Sequence, residues 1–321
     1  MKKSTKRTII GIILLIFIFV GLYFLDKDVF INLKDSLIKD IGKIVNKEDK
    51  SKKKTVVTPI NNIKLSDNNL MVFFIDVGEA DCILIKSQSE YMLIDAGNNE
   101  DGSKLVNFFN ELGIKEFKYV FGTHAHEDHI GGLDNIIRSF KVKNFYMPDV
   151  TTTTKTFTSI LDELEKKNIA FKVPSIGNKF KLGESVVEVI YLGKEEEDLN
   201  DTSIVLKLTY GETSFLFTGD ITTNAERKMM NKDLESTVLK VAHHGSKFSS
   251  YAAFLRNVNP KYAVISCGVN NDYGFPHEVT LNKLKKIGAE VYRTDKLGTI
   301  IAISNGKKVT FKNIKTDTNG E

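Results

Sequence analysis

The run Thr123-His124-Ala125-His126-Glu127-Asp128-His129 constrains this chain more than any other feature. Three imidazoles and a carboxylate fall within six residues, after the apolar stretch Tyr119-Val-Phe121 and before Gly131-Gly132. On a loop leaving a strand, alternate side chains reach one metal ion while the next two reach a second. Imidazole and carboxylate donors suit zinc, and also manganese or iron. Six residues do not fill two metal sites, so the fold must bring more ligands to this loop.

The rest of the sequence supplies candidates. The chain has six histidines. Beyond His124, His126 and His129 they are the adjacent His243 and His244 and, after Pro276, His277. No histidine is scattered elsewhere. Phe215-Leu-Phe-Thr-Gly219-Asp220 places an acid at the end of an apolar strand, suited to bridge two ions. Val241-Ala-His243-His244-Gly245-Ser246 repeats that arrangement with imidazoles, and His277 offers a ligand from a third loop.

Short apolar runs bounded by glycine or polar residues predict strands at 71–77, 82–86, 91–95 and 119–123, and later at 203–210, 213–218, 237–241, 262–265, 290–292, 299–304 and 308–312. Gly211-Glu212 predicts a hairpin. Helical spacing predicts helices over 104–112, 133–140, 250–257 and 279–287. Two strand-rich halves interspersed with helices predict an α+β fold, a four-layer αββα sandwich. Cys82 and Cys267 each sit in an apolar stretch and are expected to be buried strand residues.

Charge divides the chain. The net charge is +4, but roughly +4 falls before residue 26 and about +3 between 26 and 69, which leaves about −3 on the remainder. The globular part therefore lacks the basic footprint of a typical nucleic-acid-binding domain. Residues 8–25 are uncharged and mostly apolar, and about 18 residues at about 1.5 Å each reach about 27 Å, close to a bilayer core. No small-x-small cleavage site or lipobox cysteine follows, so they are read as an uncleaved transmembrane helix rather than a signal peptide. Basic residues before it predict a single-pass cell-membrane protein with its catalytic domain outside the cytoplasm. The expected domains are thus an anchor at 1–25, a lysine-rich stalk at 26–69 with a short amphipathic helix near 31–45, and a hydrolase domain at 70–321.

Within that domain the motifs Phe74-Ile-Asp76-Val-Gly78, Leu93-Ile-Asp95-Ala-Gly97, the histidine run, Asn200-Asp201-Thr202-Ser203, Thr218-Gly219-Asp220, Leu239-Lys-Val-Ala-His243-His244-Gly-Ser246-Lys and Tyr273-Gly-Phe-Pro-His277 follow in order. Residues about 70 to 313 resemble the metallo-β-lactamase fold and, within it, the hydrolase domain of ComEC-type competence proteins. Phosphorylcholine esterases of cell-wall teichoic acid resemble the same set. The resemblance implies two divalent cations, zinc or alternatively manganese. His124 and His126 would hold site one, Asp128, His129 and His277 site two, with Asp220 bridging. The histidine that many members carry before the bridging aspartate is missing, because Asn200-Asp201-Thr202-Ser203 stands there. His244 is assigned as its substitute. His243 is assigned as a protonated, phosphate-facing or proton-transferring group, with Asp128 as the other catalytic residue. Asp76 and Asp95 are assigned to fixing the loops, and Ser246 and Lys247 to orienting the substrate.

Three departures from the family pattern, Glu79-Ala80, Phe248 and Phe275, fall near the expected substrate mouth. The many membrane segments of full-length ComEC are absent from this sequence, so a hydrolase and not a DNA channel is expected. The expected reaction is hydrolysis of a phosphate ester, a phosphodiester above all, in single-stranded DNA or a wall polymer. The alternative from another class is a non-catalytic binding module held together by metal, against which the intact ligand set argues.

Overall fold

A computed structural model describes residues 64–194 and 198–314. In the first half, β1 (Leu70–Phe74), β2 (Ile83–Ser87) and β3 (Glu90–Ile94) make an antiparallel meander, and α1 (Gly102–Glu111) follows. Then come β4 (Glu116–Phe117), β5 (Tyr119–Phe121), α2 (Glu127–Ile130), α3 (Leu133–Ser139), β6 (Lys141–Val142), β7 (Phe145–Tyr146), α4 (Lys155–Lys166) and β8 (Phe171–Lys172). The second half runs β9 (Lys179–Leu182), β10 (Ser185–Leu192), β11 (Ile204–Tyr210), β12 (Thr213–Phe217), α5 (Thr223–Lys228), β13 (Val238–Lys240), α6 (Ala252–Val258), β14 (Tyr262–Ile265), α7 (Glu278–Lys286), β15 (Glu290–Arg293) and α8 (Thr294–Leu297). Two last strands, β16 (Thr299–Ser304) and β17 (Val309–Ile314), return to the first half.

The strands form an eight-stranded sheet in the order β17-β16-β1-β2-β3-β5-β7-β8 and a seven-stranded sheet in the order β15-β14-β13-β12-β11-β10-β9, with β4 and β6 as a small separate pair. Side-chain alternation explains the layering. Along β1, Leu70, Val72 and Phe74 point into a core shared with Leu206, Phe215 and Phe217 of the second sheet. Met71 and Phe73 point the other way, onto Leu105 and Phe109 of α1 and Ile136 of α3. From β12, Phe215 and Phe217 face inward while Leu216 packs outward with Ala225, Leu255 and Leu284 of α5, α6 and α7. Strands buried on both faces need continuous apolar runs, which is why LMVFF and TSFLF read as they do. Each fully buried phenylalanine contributes about 1.5–3 kcal/mol through the surface it removes from water. The result is the αββα sandwich expected from the sequence.

Two features were not foreseen. Between 141 and 179 the sequence offers no strand longer than two residues, too short for periodicity to register. In the same stretch α4 starts at Thr154, whose side chain accepts the Phe157 amide, and buries Phe157, Ile160 and Leu164. The Gly211-Glu212 hairpin is as expected, with Tyr210 opposite Thr213.

One expectation is corrected. The reading as a single-pass membrane protein with an outward-facing domain is not upheld, because among the described residues no helix is long and apolar enough to cross a membrane. The segment on which that reading rested, residues 8–25, lies outside the described residues, as does the stalk up to residue 63 with its amphipathic helix.

In each sheet one half is parallel: β3, β5, β7 and β8 in the first, β12 to β15 in the second. Parallel strands end on the same edge, where α/β folds gather ligand loops. The loops after β3, β5, β12, β13 and β14 carry nearly every residue singled out above.

The second helical layer also holds a buried acid. Glu226 of α5 accepts the amides of Ser250 and Tyr251, at 2.5 and 2.9 Å, at the start of α6. Burial pushes its pKa up to about 8. A raised acid pKa contributes stability that is complete below the unfolded value and is lost as pH rises through about 8. Glu226→Gln, which never ionises, is therefore expected to gain on the wild type between pH 6 and pH 9. Thermal melts of both proteins at the two pH values check this, and a constant Tm difference refutes it.

Candidate active site

The histidine loop leaves β5 and turns directly into α2. Gly131 and Gly132 let it close tightly: a Cβ at Gly131 would lie 2.3 Å from the Asn98 carbonyl carbon, and one at Gly132 would lie 2.5 Å from the Ala96 carbonyl oxygen. The loop is also tied by backbone bonds, with the Ala96 amide donating to His129 O and the Asp81 amide to Asp128 O. Asp95 is the buried hub beneath it. It accepts the Thr123 amide at 2.7 Å and the Thr123 hydroxyl at 2.8 Å, and its Oδ2 lies 2.8 Å from His129 Nδ1. That contact turns His129 Nε2 outward.

Four ligand atoms converge there. Asp128, His129, Asp220 and His244 each offer one atom, all within 4.8 Å of one another. His129 Nε2 is 3.3 Å from Asp220 Oδ1, and His244 Nε2 is 3.3 Å from Asp128 Oδ2 and 3.4 Å from Asp220 Oδ2. The Ser266 carbonyl, 3.0 Å from His244 Nδ1, sets that ring. His243 and His244 both occupy the left-handed region, at φ 53° and 50°, which costs non-glycine residues energy and here aims the two rings apart.

Electrostatics match the geometry. Burial works against protonation of His129 and His244, yet neighbouring carboxylates, Asp220 foremost, hold both well above the ordinary histidine value. Burial alone would raise Asp220 and Asp128, but the same two imidazoles hold both carboxyls below their usual range. Such a group holds protons where a divalent cation competes for the same atoms. His129 Nε2 and Asp220 Oδ1 are buried, face one another and have no hydrogen-bond partner. Buried polar atoms in that condition are costly, and a cation between them satisfies both. The residues present therefore fit a divalent metal.

The remaining candidates fall into place unequally. His124 and His126 lie beside the group but bond each other, Nε2 to Nδ1 at 3.0 Å, while His124 Nδ1 lies 3.3 Å from Ser203 Oγ. Burial lowers the His124 pKa, so that ring is neutral and ready to ligate. His243 Nε2 is 4.0 Å from Asp220 Oδ2, outside the group of four. His244 stands with Asp128 and His129 rather than completing the His124–His126 pair. His277 does not join them: its Nδ1 accepts the Lys247 amide at 3.1 Å, and its ring packs on Phe275, which also contacts His243 and His244. Burial lowers the His243 pKa, which disfavours the protonated imidazole expected from the resemblance.

Asp76 accepts the Gly78 amide at 3.3 Å, and its own amide donates to Thr299, so it braces the β1–β2 loop. Ser246 is buried and its hydroxyl accepts the Phe248 amide, so it holds its loop instead of facing a substrate. Lys247 is exposed and lies over the Phe248 ring at 5.2 Å. Neither lines the cavity above the site.

That cavity, of about 630 Å³, is walled by Asp128, Asp220, His126, His243 and His244, by Glu79, Glu100 and Glu127, and by Tyr273 and Phe275 among others. Tyr273 is 69% exposed and stacks on Phe275 at 5.3 Å and 15°. Asn271 latches this loop: its side chain donates to Gly268 O and Phe275 O and accepts the Phe275 amide.

Sequence reasoning singled out the motif Asn200-Asp201-Thr202-Ser203 but gave no role of their own to Ser203, which accepts the Asp220 amide at 3.2 Å, or to Asp201, which accepts the Thr222 amide at 2.7 Å. These two pin the Asp220 loop from both sides. It also gave no role to Asp81 and Lys240, a fully buried ion pair at 2.5 Å. The available signal was a lysine inside the apolar strand Val238-Leu-Lys240-Val.

Comparison with known proteins agrees with this picture. The family model described as the metallo-beta-lactamase superfamily matches residues 75–269. ComE operon protein 3 of Bacillus subtilis (strain 168) is 31% identical over 252 residues, covering 71% of this chain and 32% of that protein. Competence protein ComA of Neisseria gonorrhoeae is 27% identical over 242 residues, covering 73% of this chain and 32% of that protein. The chain thus spans about a third of the length of these relatives. Among solved structures, the metallo-beta-lactamase fold protein YhfI from Bacillus subtilis superposes with a TM-score of 0.51 at 11% identity, over 73% of this chain and 100% of that chain, a likeness of fold alone. With the sandwich, the histidine loop at its strand ends and the matching family model together, this chain belongs to the metallo-beta-lactamase superfamily.

Proposed function

We propose that this protein hydrolyses phosphodiesters with two divalent metal ions, zinc or manganese, and that its substrate is single-stranded DNA. The observation that carries the reading is the buried group Asp128, His129, Asp220 and His244, with unpartnered donor atoms facing one another at the floor of an open cavity. The likeness to competence proteins favours a nucleic acid over a wall polymer.

Asp128, His129, Asp220 and His244 would hold one ion, and His124 and His126 would hold the other together with Asp220. When bound, such ions supply a nucleophile from water at neutral pH and neutralise charge on the phosphoryl oxygens. The protein's own part is positioning and proton handling. Asp95 and the Ser266 carbonyl fix the faces of His129 and His244. Burial lowers the His243 pKa, and its Nε2 beside Asp220 is placed to take the proton that the attacking water gives up and to pass it to the leaving oxygen. Among the described residues no lysine or arginine lines the cavity, while five carboxylates do. Bound metal ions would therefore provide the attraction for phosphate, and contact to the rest of the substrate would come from the exposed Tyr273 stacked on Phe275. Base–aromatic stacking contributes about 1–3 kcal/mol per base.

The whole chain, loaded with Zn²⁺ or Mn²⁺, is to be assayed on single-stranded DNA, a glycerol-phosphate wall polymer, bis-p-nitrophenyl phosphate and nitrocefin. Phosphodiester turnover is expected, with DNA cleaved best. No turnover of any phosphodiester by demonstrably metal-loaded protein would falsify the reading. Faster cleavage of the wall polymer would replace the substrate. Tyr273→Ala is expected to raise KM for DNA about tenfold and to leave cleavage of an abasic oligonucleotide unchanged. Equal losses on both substrates would remove the stacking role.

A further inference from the structure

Behind the four-residue group lies a second acidic cluster. Asp81, Asp95 and His129 offer ligand atoms within 4.8 Å of one another, all buried. The two groups share His129 through its opposite ring nitrogens: Nε2 faces Asp220, while Nδ1 is 2.8 Å from Asp95 and 4.0 Å from Asp81. By donor chemistry alone, the inner cluster is also suited to a cation, and an ion there would compete for the histidine that the outer group needs.

Lys240 meets that cluster at Asp81. It ends β13, where alternation after Val238 and Leu239 turns its side chain between the sheets toward the β1–β2 loop. Its ammonium lies 2.5 Å from Asp81 Oδ2 and 3.2 Å from the Val241 carbonyl, and neither charged side chain reaches solvent. Asp81 in turn ties the ligand loops, since its amide donates to Asp128 O and its carbonyl accepts the Gly97 amide. Its second oxygen has no hydrogen-bond partner and lies 3.9 Å from His244 Nδ1.

We infer that Lys240 is the resident cation of the inner cluster, a positioning residue that keeps metal ions off Asp81, Asp95 and His129 Nδ1 and so confines them to the outer face of His129. A buried carboxylate needs a counter-charge. An ammonium provides it without coordinating His129, so the imidazole stays bonded to Asp95 and its Nε2 stays available. A divalent ion in the same place would draw on Nδ1 and turn the ring from the outer group. This inference rests on the metal reading of the site.

The test is anomalous diffraction from crystals of the wild type and of Lys240→Met soaked in Mn²⁺, together with metal content in solution. In the wild type, anomalous peaks are expected beside His129 Nε2 and none among Asp81, Asp95 and His129 Nδ1. An inner peak in the wild type overturns the inference. An absence of peaks anywhere overturns the metal reading instead. Lys240→Met is expected to acquire the inner peak, to weaken or lose the peak beside His129 Nε2, and to lose activity at least a hundredfold without rescue by added metal. If that variant does not fold, Asp81→Asn/Lys240→Met decides. With both charges gone it is expected to return to the wild-type metal content and to within about fivefold of wild-type activity, as paired removal of buried charges is often tolerated. A double variant that still takes up an inner ion, or a folded Lys240→Met with no inner peak, counts against the inference.

Discussion

Replacing Asp220 by alanine is expected to lower phosphodiester turnover by at least about a thousandfold and to remove most bound metal, while leaving the protein folded. Asp220 contacts both imidazoles of the four-residue group, His129 at 3.3 Å and His244 at 3.4 Å. It is the acid against which the raised pKa values of both are chiefly set. Without it, three ligands remain at one site and two at the other, with nothing shared between them, and the loss of several kcal/mol of charge stabilisation corresponds to about three powers of ten in rate. The fold is spared because the residue lies in a loop beyond the end of β12, after Gly219, with its backbone still held by Ser203. Metal content by elemental analysis, steady-state rates and a circular dichroism melt check the three parts. Wild-type metal content in a folded Asp220→Ala protein would refute the bridging role.

Asp95→Ala is expected to act on both stability and metal binding. The change strips acceptors from the Thr123 amide, the Thr123 hydroxyl and His129 Nδ1, all in buried surroundings. Orphaned buried donors cost about 1–3 kcal/mol each, and removing one member of a buried charged contact costs about 3–5 kcal/mol in total. At about 2–4 °C per kcal/mol for a domain of this size, Tm should fall by about 10 °C. His129 also loses the bond that sets its outward face, so metal affinity should drop about 10–100-fold. Asp95→Asn keeps one acceptor for the Thr123 amide and is expected to fall between the two. A Tm within about 2 °C of wild type for the alanine variant would show that Asp95 is not the hub of the loop.

These two residues illustrate what was legible. Asp220 stood out because it ends an apolar strand with Gly219 before it, whereas Asp95 was singled out through the resemblance that Leu93-Ile-Asp95-Ala-Gly97 carries. Strand ends mark where side chains leave the packed core, so acids and histidines there are visible in one dimension. His244 was legible as a ligand candidate but not in its partners, since adjacency in sequence does not say which of two rings faces a cluster. The left-handed backbone at both histidines, and the Ser266 carbonyl from the next strand, decide that. His277 shows the converse: its sequence context suggests a ligand, but the amide of Lys247, thirty positions away, takes one of its nitrogens.

The sequence by itself determined the layers and the chemistry. Continuous apolar runs fix which elements are strands buried on both faces, and a histidine set confined to strand ends fixes a metal-binding edge. Only the tertiary structure decided the pairings across that edge: Lys240 with Asp81, His129 between Asp95 and Asp220, His244 with Asp128. Hydrophobic burial is encoded residue by residue, because each apolar side chain prefers the interior whatever its neighbour. The sign and distance of buried charges are properties of pairs, and pairs separated by 159 positions, as Lys240 and Asp81 are, exist only once the two sheets have closed on one another.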